Sequence, residues 1–288
     1  MKQNKKIAAG AVVTGFFAIG ITGVWLNQRP AEVITAGRPL HEAARLLEER
    51  YRTPVTYEET MWLWDGDKET TPIRLGLYPK QRTFSLPGGL NPDQTPVLNE
   101  TVLEAVLDAY HRQTDGPQFR LFTSTWGLHI VPTRAHGVSG QLVDTHSVLD
   151  TYIDLPIESR TPAEHFRALC EAVTKASGVI VKPFAPWLDQ FFAPNGIAPP
   201  RRPLTETEKQ DASFAWGAIA PARDALISLA ELSATTLTWK LKCSAEPWDQ
   251  NCVLNFMPIQ FTVTEPDGTV GINNVTYDRS KKPLVHKQ

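Results

Sequence analysis

The stretch from Pro221 to Ile259 constrains the fold of this chain more than any other. Apolar residues at helical spacing from Ala222 to Ser233 run into an alternating strand, Thr236 to Cys243; after a polar turn, Val253 to Ile259 returns as a second strand. The motif of a helix followed by one or two strands recurs about every sixty residues, with Pro39, Thr101, Pro162 and Pro221 each just ahead of an amphipathic helix. A chain of 288 residues with 42% hydrophobic content can fill two domains of ordinary size. The expected class is therefore α+β: two tandem small domains of βαβ/αββ type after an N-terminal transmembrane helix. The first domain spans residues 30–136 and the second 137–276, with a proline-rich insertion at 183–211 and a basic tail at 277–288.

The N-terminus sets the compartment. Lys2, Lys5 and Lys6 precede an uncharged run, Ile7 to Leu26, long enough to cross a bilayer as a helix and ending beside Trp25, a ring that favours the interface. Three lysines before the run and Arg29 after it leave the N-terminus cytoplasmic and the bulk of the chain periplasmic or extracellular, on a single-pass anchor in the inner membrane. Secretion after cleavage is the alternative, but no Ala-x-Ala-like site follows the run, and Gly20-Ile21-Thr22 lies inside it. A net charge of −2 offers no excess of cations for nucleic-acid phosphates, so the membrane and envelope proteins are the expected partners.

In order, residues 33–134 read as a helix from Leu40 to Tyr51, a strand at Val55-Thr56-Tyr57, one or two strands with turns between Met61 and Gly89, a helix from Val102 to Arg112 and a hairpin around Trp126-Gly127. Asp65-Gly66-Asp67 reads as an exposed turn, since the spacing of a calcium loop is missing. The order then restarts. Leu149 to Leu155 alternates like a strand, Thr161 and Glu164 form a capping box for a helix from Ala163 to Lys175, Gly178 closes it, and Val179-Ile180-Val181 is a short strand. Six prolines between Pro183 and Pro203 interrupt the pattern, and Leu204 to Asp211 extends that insertion with charge. Glu265-Pro266-Asp267-Gly268 signals a further hairpin.

Two sets of phrases carry a family resemblance: Gly37-Arg38-Pro39-Leu40-His41-Glu42-Ala43, Arg52-Thr53-Pro54-Val55 and Thr101-Val102-Leu103-Glu104-Ala105 in the first half, and Ile153-Asp154-Leu155-Pro156, Pro162-Ala163-Glu164-His165-Phe166 and Pro221-Ala222-Arg223-Asp224-Ala225 in the second. Each half resembles the short N-terminal domain of secretins and TonB-dependent receptors. That resemblance implies a small α+β domain that docks other proteins in the bacterial envelope and catalyses nothing. No pore or barrel follows here, so transport is not implied.

The chemistry-bearing residues are few. Cys243 and Cys252 flank a turn on adjacent strands and, outside the cytoplasm, are expected to form a disulfide; Cys170 lies on the apolar face of its helix as a core thiol. Three cysteines without Cys-x-x-Cys spacing do not make a metal site, and no phosphate-cradling loop, dinucleotide fingerprint or nucleophile elbow occurs, so no metal, cofactor or catalytic residue is expected. The rival reading is an enzyme of unrecognised type with a site between the domains, built on His129, His146 and Asp144. Trp187, Phe191 and Phe192, among the prolines of the insertion, are the candidate partner-binding surface, since such rings must either fold back or meet a partner.

Overall fold

A computed structural model describes residues 32–71, 74–88, 90, 97–186, 188–192, 205–246, 251–264 and 266–275. The expected membrane anchor, Trp187, most of the proline run and the basic tail lie outside the described residues. Among the described residues no helix is long and apolar enough to cross a membrane.

The first half runs β1 (Val33–Ala36), α1 (Pro39–Tyr51), β2 (Val55–Glu58), β3 (Lys68–Thr71), β4 (Arg74–Pro79), β5 (Arg82–Ser85), α2 (Glu100–Gln113), β6 (Gln118–Thr123), β7 (Leu128–His136) and β8 (Leu142–Asp144). The second runs β9 (Tyr152–Arg160), α3 (Pro162–Ser177), β10 (Ile180–Phe184), α4 (Glu206–Ala212), β11 (Phe214–Pro221), α5 (Ala222–Glu231), β12 (Leu237–Cys243), β13 (Asn251–Pro258), β14 (Gln260–Thr264) and β15 (Val270–Asn274). The mixed α+β class is as expected.

Local chemistry explains the helix ends. Proline opens α1 and α3, where its missing N–H costs nothing. The Thr161 hydroxyl accepts from the Glu164 N–H at 3.3 Å while the Glu164 carboxylate accepts from the Thr161 N–H at 2.9 Å, and Gly178 turns the chain out with φ of 75°. Helix α2 starts earlier than its apolar spacing suggests because Asn99 caps it, accepting from the Val102 N–H at 3.1 Å. Leu149 does not belong to a strand: Ser147 and Asp150 cap one helical turn over Val148–Asp150, and the strand follows at β9. The charged end of the insertion forms the short helix α4.

The two halves repeat one topology. In the first, β1 and β5 pair antiparallel, α1 leads to β2, and α2 leads to the β6–β7 hairpin, whose second strand lies parallel to β2. In the second, β9 and β11 pair antiparallel, α3 leads to β10, and α5 leads to the β12–β13 hairpin, whose second strand lies parallel to β10. The halves do not stand apart. They share a single sheet in the order β10-β13-β12-β2-β7-β6, with β8 pairing β7 off this path.

The join is the parallel pair β12–β2, so the strands of one half run opposite to their counterparts in the other. Paired residues share a face of a sheet, and the register Lys240↔Tyr57, Leu241↔Glu58 therefore puts the two cores on opposite faces. Leu40, Leu47, Leu103 and Val106 of α1 and α2 pack with Val55, Tyr57, Leu128 and Ile130 on one face. Phe166, Leu169, Cys170, Leu226 and Leu229 of α3 and α5 pack with Trp239, Leu241, Leu254 and Phe256 on the other. Trp126, from the first hairpin, crosses into the second core and donates its indole N–H to the Leu237 carbonyl at 2.8 Å.

Candidate functional site

Three carboxylates of the first half are buried where the halves meet, and each meets a cation. On the α1 face, Lys240 Nζ lies 2.8 Å from Glu48 Oε1 and also donates to the Val55 carbonyl. Glu48 in turn accepts from the Val55 N–H at 3.0 Å and from the Thr238 hydroxyl. Burial pulls the Lys240 pKa below its usual value while the Glu48 charge pulls it back.

On the opposite face Arg223 of α5 grips Glu58 with two bonds, of 2.8 and 2.6 Å, and reaches Asp150 at 2.6 Å; Trp239 Nε1 adds a bond to Glu58 at 3.3 Å. Burial works against the Arg223 charge, but the bonds and charges of Glu58 and Asp150 raise its pKa. At the end of the strands Arg38 binds Glu59 at 2.8 Å and the Cys243 carbonyl at 2.8 Å, and the Cys243 N–H donates to Glu59 at 2.6 Å. A pair of this kind adds little net stability, yet removing one partner strands a buried charge.

The disulfide falls at this end. Cys243 and Cys252 are direct cross-strand neighbours on β12 and β13, bonded to each other and fully enclosed. They border a cavity of about 310 Å³ that Met61, Leu63, Val143, Val148 and His146 also line. Cys170 is enclosed in the second core, where burial raises its pKa far above that of an exposed thiol.

The residues of the rival enzyme reading are not brought together. His129 is fully buried on β7, stacked on Trp239 at 5.0 Å, with Nδ1 2.8 Å from the Thr56 hydroxyl and Nε2 2.6 Å from the Ser124 hydroxyl. Burial first, then the charges of Arg223 and Lys240, hold its pKa down to about 3. Asp144 is exposed beside Arg134, and His146 is exposed on the following loop. Among the described residues no group of three or more His, Cys, Asp or Glu side chains could hold a metal ion.

Asp67, expected on an exposed turn, is instead buried between Arg82 and His136, whose Nδ1 lies 2.9 Å from Asp67 Oδ2. The turn is pulled inward because β5 and β7 supply these two partners. Of the insertion aromatics, Phe191 and Phe192 sit half-buried in the turn Leu188–Phe192 and pack on the second core. The Phe192 ring stacks on Phe214 at 6.0 Å, and the Phe191 carbonyl accepts from the Ser233 hydroxyl at 2.9 Å.

Among the described residues the shared sheet ends at β10 on one side and β6 on the other. Leu121 and Phe122 of β6 are half-buried, and Arg120 and Thr123 are exposed. Sequence reading missed the buried charges and this edge. A partial signal was present in Lys240 and Lys242, which alternate with Trp239, Leu241 and Cys243 and so give β12 one apolar and one cationic face.

No family model, no curated protein and no solved structure matches this chain.

Proposed function

We propose that this chain is a non-catalytic interaction module of the bacterial cell envelope, anchored in the inner membrane by Ile7 to Leu26 and docking partner proteins on the periplasmic side. One observation carries the reading: the two halves are themselves joined by adding a strand of one to the sheet edge of the other, at β12–β2. A scaffold that joins its own halves by strand addition has the geometry for recognising another chain in the same way. The Cys243–Cys252 bond suits an oxidising compartment. The enzyme reading has less support, because His129 is sealed between rings while Asp144 and His146 lie exposed elsewhere.

Photo-cross-linking in intact cells tests this, with photoreactive residues placed in turn at Arg120, Lys182 and Glu171. The expected result is repeated capture of the same envelope protein from at least one position, competed away by untagged chain. Cross-links to no protein from any position would contradict it.

A further inference from the structure

We propose that the outer edge of β6, centred on Leu121 with Arg120 beside it, docks an extended, acid-bearing segment of a partner protein as a parallel strand. The inference rests on the docking reading above and assigns its surface.

The duplicated topology supplies the template. The Val55 N–H is capped by Glu48 and the Val181 N–H by Thr174 at 2.9 Å, in both cases by a helix residue seven positions earlier. Val55 pairs with Leu128, and Leu128 with Thr123; Val181 pairs with Cys252, and Cys252 with Cys243. Val55 and Val181 are thus equivalent, as are Thr123 and Cys243. Counting along the strands makes Tyr57 equivalent to Pro183, Leu121 to Leu241 and Arg120 to Lys240.

Backbone groups alternate between the two sides of a strand, and this decides which residues each edge offers. On β12 the Ser244 N–H turns inward to Asn251 and the Cys243 N–H outward to Glu59, so Trp239, Leu241 and Cys243 face β2. On β6 the Ser124 N–H turns inward to Gly127 and the Phe119 N–H outward to His111 Nε2 at 3.0 Å, so Phe119, Leu121 and Thr123 face out. With Phe119 capped by that ring, Leu121 and Thr123 are left to pair; Leu121 is the counterpart of Leu241, which meets β2 at the join, and Thr123 of Cys243, whose N–H meets the Glu59 carboxylate just past β2. The β6 edge is the edge this fold has already filled once.

The other edge of the sheet among the described residues is closed. The outward residues of β10 are Val181, whose N–H is taken by Thr174, and Pro183, which has no N–H and stands where Tyr57 makes the join. A second copy of this chain therefore cannot extend the sheet from its β10 to β6, and a parallel strand on β6 is not the β10 of another copy.

Charge indicates its chemistry. At the join, Lys240 takes the Val55 carbonyl of the incoming strand and the carboxylate of Glu48 on the helix just before it. Arg120 holds the same place on β6, is exposed, and has no carboxylate partner among the described residues. An incoming segment with an acidic residue near its pairing position satisfies it.

The test uses the full chain in detergent micelles and, as probe, a peptide copying residues 53–60 of the chain's own sequence, which carries the β2 strand with Glu58 and, just past it on the Tyr57 face, Glu59. Hydrogen exchange read by mass spectrometry is expected to slow at least fivefold in residues 118–123 at saturating peptide. Leu121→Pro should weaken peptide binding tenfold or more and Arg120→Glu several-fold, and a peptide with proline at the Tyr57 position should not bind. Arg120 is exposed, so its variant keeps the test valid where Leu121→Pro fails to fold. No binding at millimolar peptide, protection elsewhere, or full binding by folded Leu121→Pro would overturn the proposal. Protection of 118–123 that grows with chain concentration alone would also overturn it, naming a second copy as the occupant. Cross-linking of an envelope protein from another face, with β6 silent, would sink this assignment and leave the docking reading standing.

Discussion

Glu48 and Thr174 do the same backbone task at equivalent places, each capping the first outward-facing N–H of the strand that follows its helix. The difference lies in what else they meet. Glu48 lies at the join and is neutralised by Lys240 of the other half; Thr174 lies at a free edge, where a neutral hydroxyl suffices and Pro183 completes the closure. The shared scaffold determines where an edge lies. A few side chains determine whether that edge is joined, open or shut.

Breaking the join is expected to have the largest effect. Glu48→Gln or Arg223→Met leaves a buried charge unpaired and should lower unfolding free energy by about 3–5 kcal/mol in urea titrations, whereas Thr174→Val should cost about 1 kcal/mol. Equal losses would erase the distinction between joined and free edge. Replacing Cys243 and Cys252 by serine should cost about 2.5–3 kcal/mol by loop entropy, measured against the oxidised chain.

His129 sharpens the comparison through pH, because its counterpart in the second half is Val253. Its folded pKa of about 3 lies below the ordinary 6.5, so as pH falls below 6.5 the unfolded chain takes up a proton that the folded chain refuses. Stability then falls with pH through that window, by roughly 2 kcal/mol between pH 7 and pH 5. Burial lowers His41 and His165 as well, with the same sign. His129→Val should flatten much of this loss in melting curves recorded across the range; an unchanged slope would place the proton uptake elsewhere.

Phe192→Ser, which removes a half-buried ring from the second core, should cost about 1–2 kcal/mol. Unaltered melting would mean that the ring is spared for a partner. Pro183→Tyr should change stability by no more than about 0.5 kcal/mol. It should nevertheless promote self-association in sedimentation runs, because it restores the residue that makes the join.

Much of this was legible in the sequence. The helices announce themselves through Pro39, Pro162, the Thr161–Glu164 capping box and Gly178, the repeat through its spacing, and the disulfide through two cysteines about one turn. The single sheet was not legible, because which strand lies beside which is settled by long-range register and not by local pattern. The buried charges were missed for the same reason. Glu58 and Arg223 are 165 residues apart, and each alone looks like an ordinary surface residue.

The most direct test compares two equivalent amides, Leu241 at the join and Leu121 at the outer edge, by residue-resolved hydrogen exchange on the same sample. One unit used twice, with one edge filled and one left open, predicts a slow Leu241 and a Leu121 that exchanges at least a hundredfold faster. Equal protection at both would contradict the account.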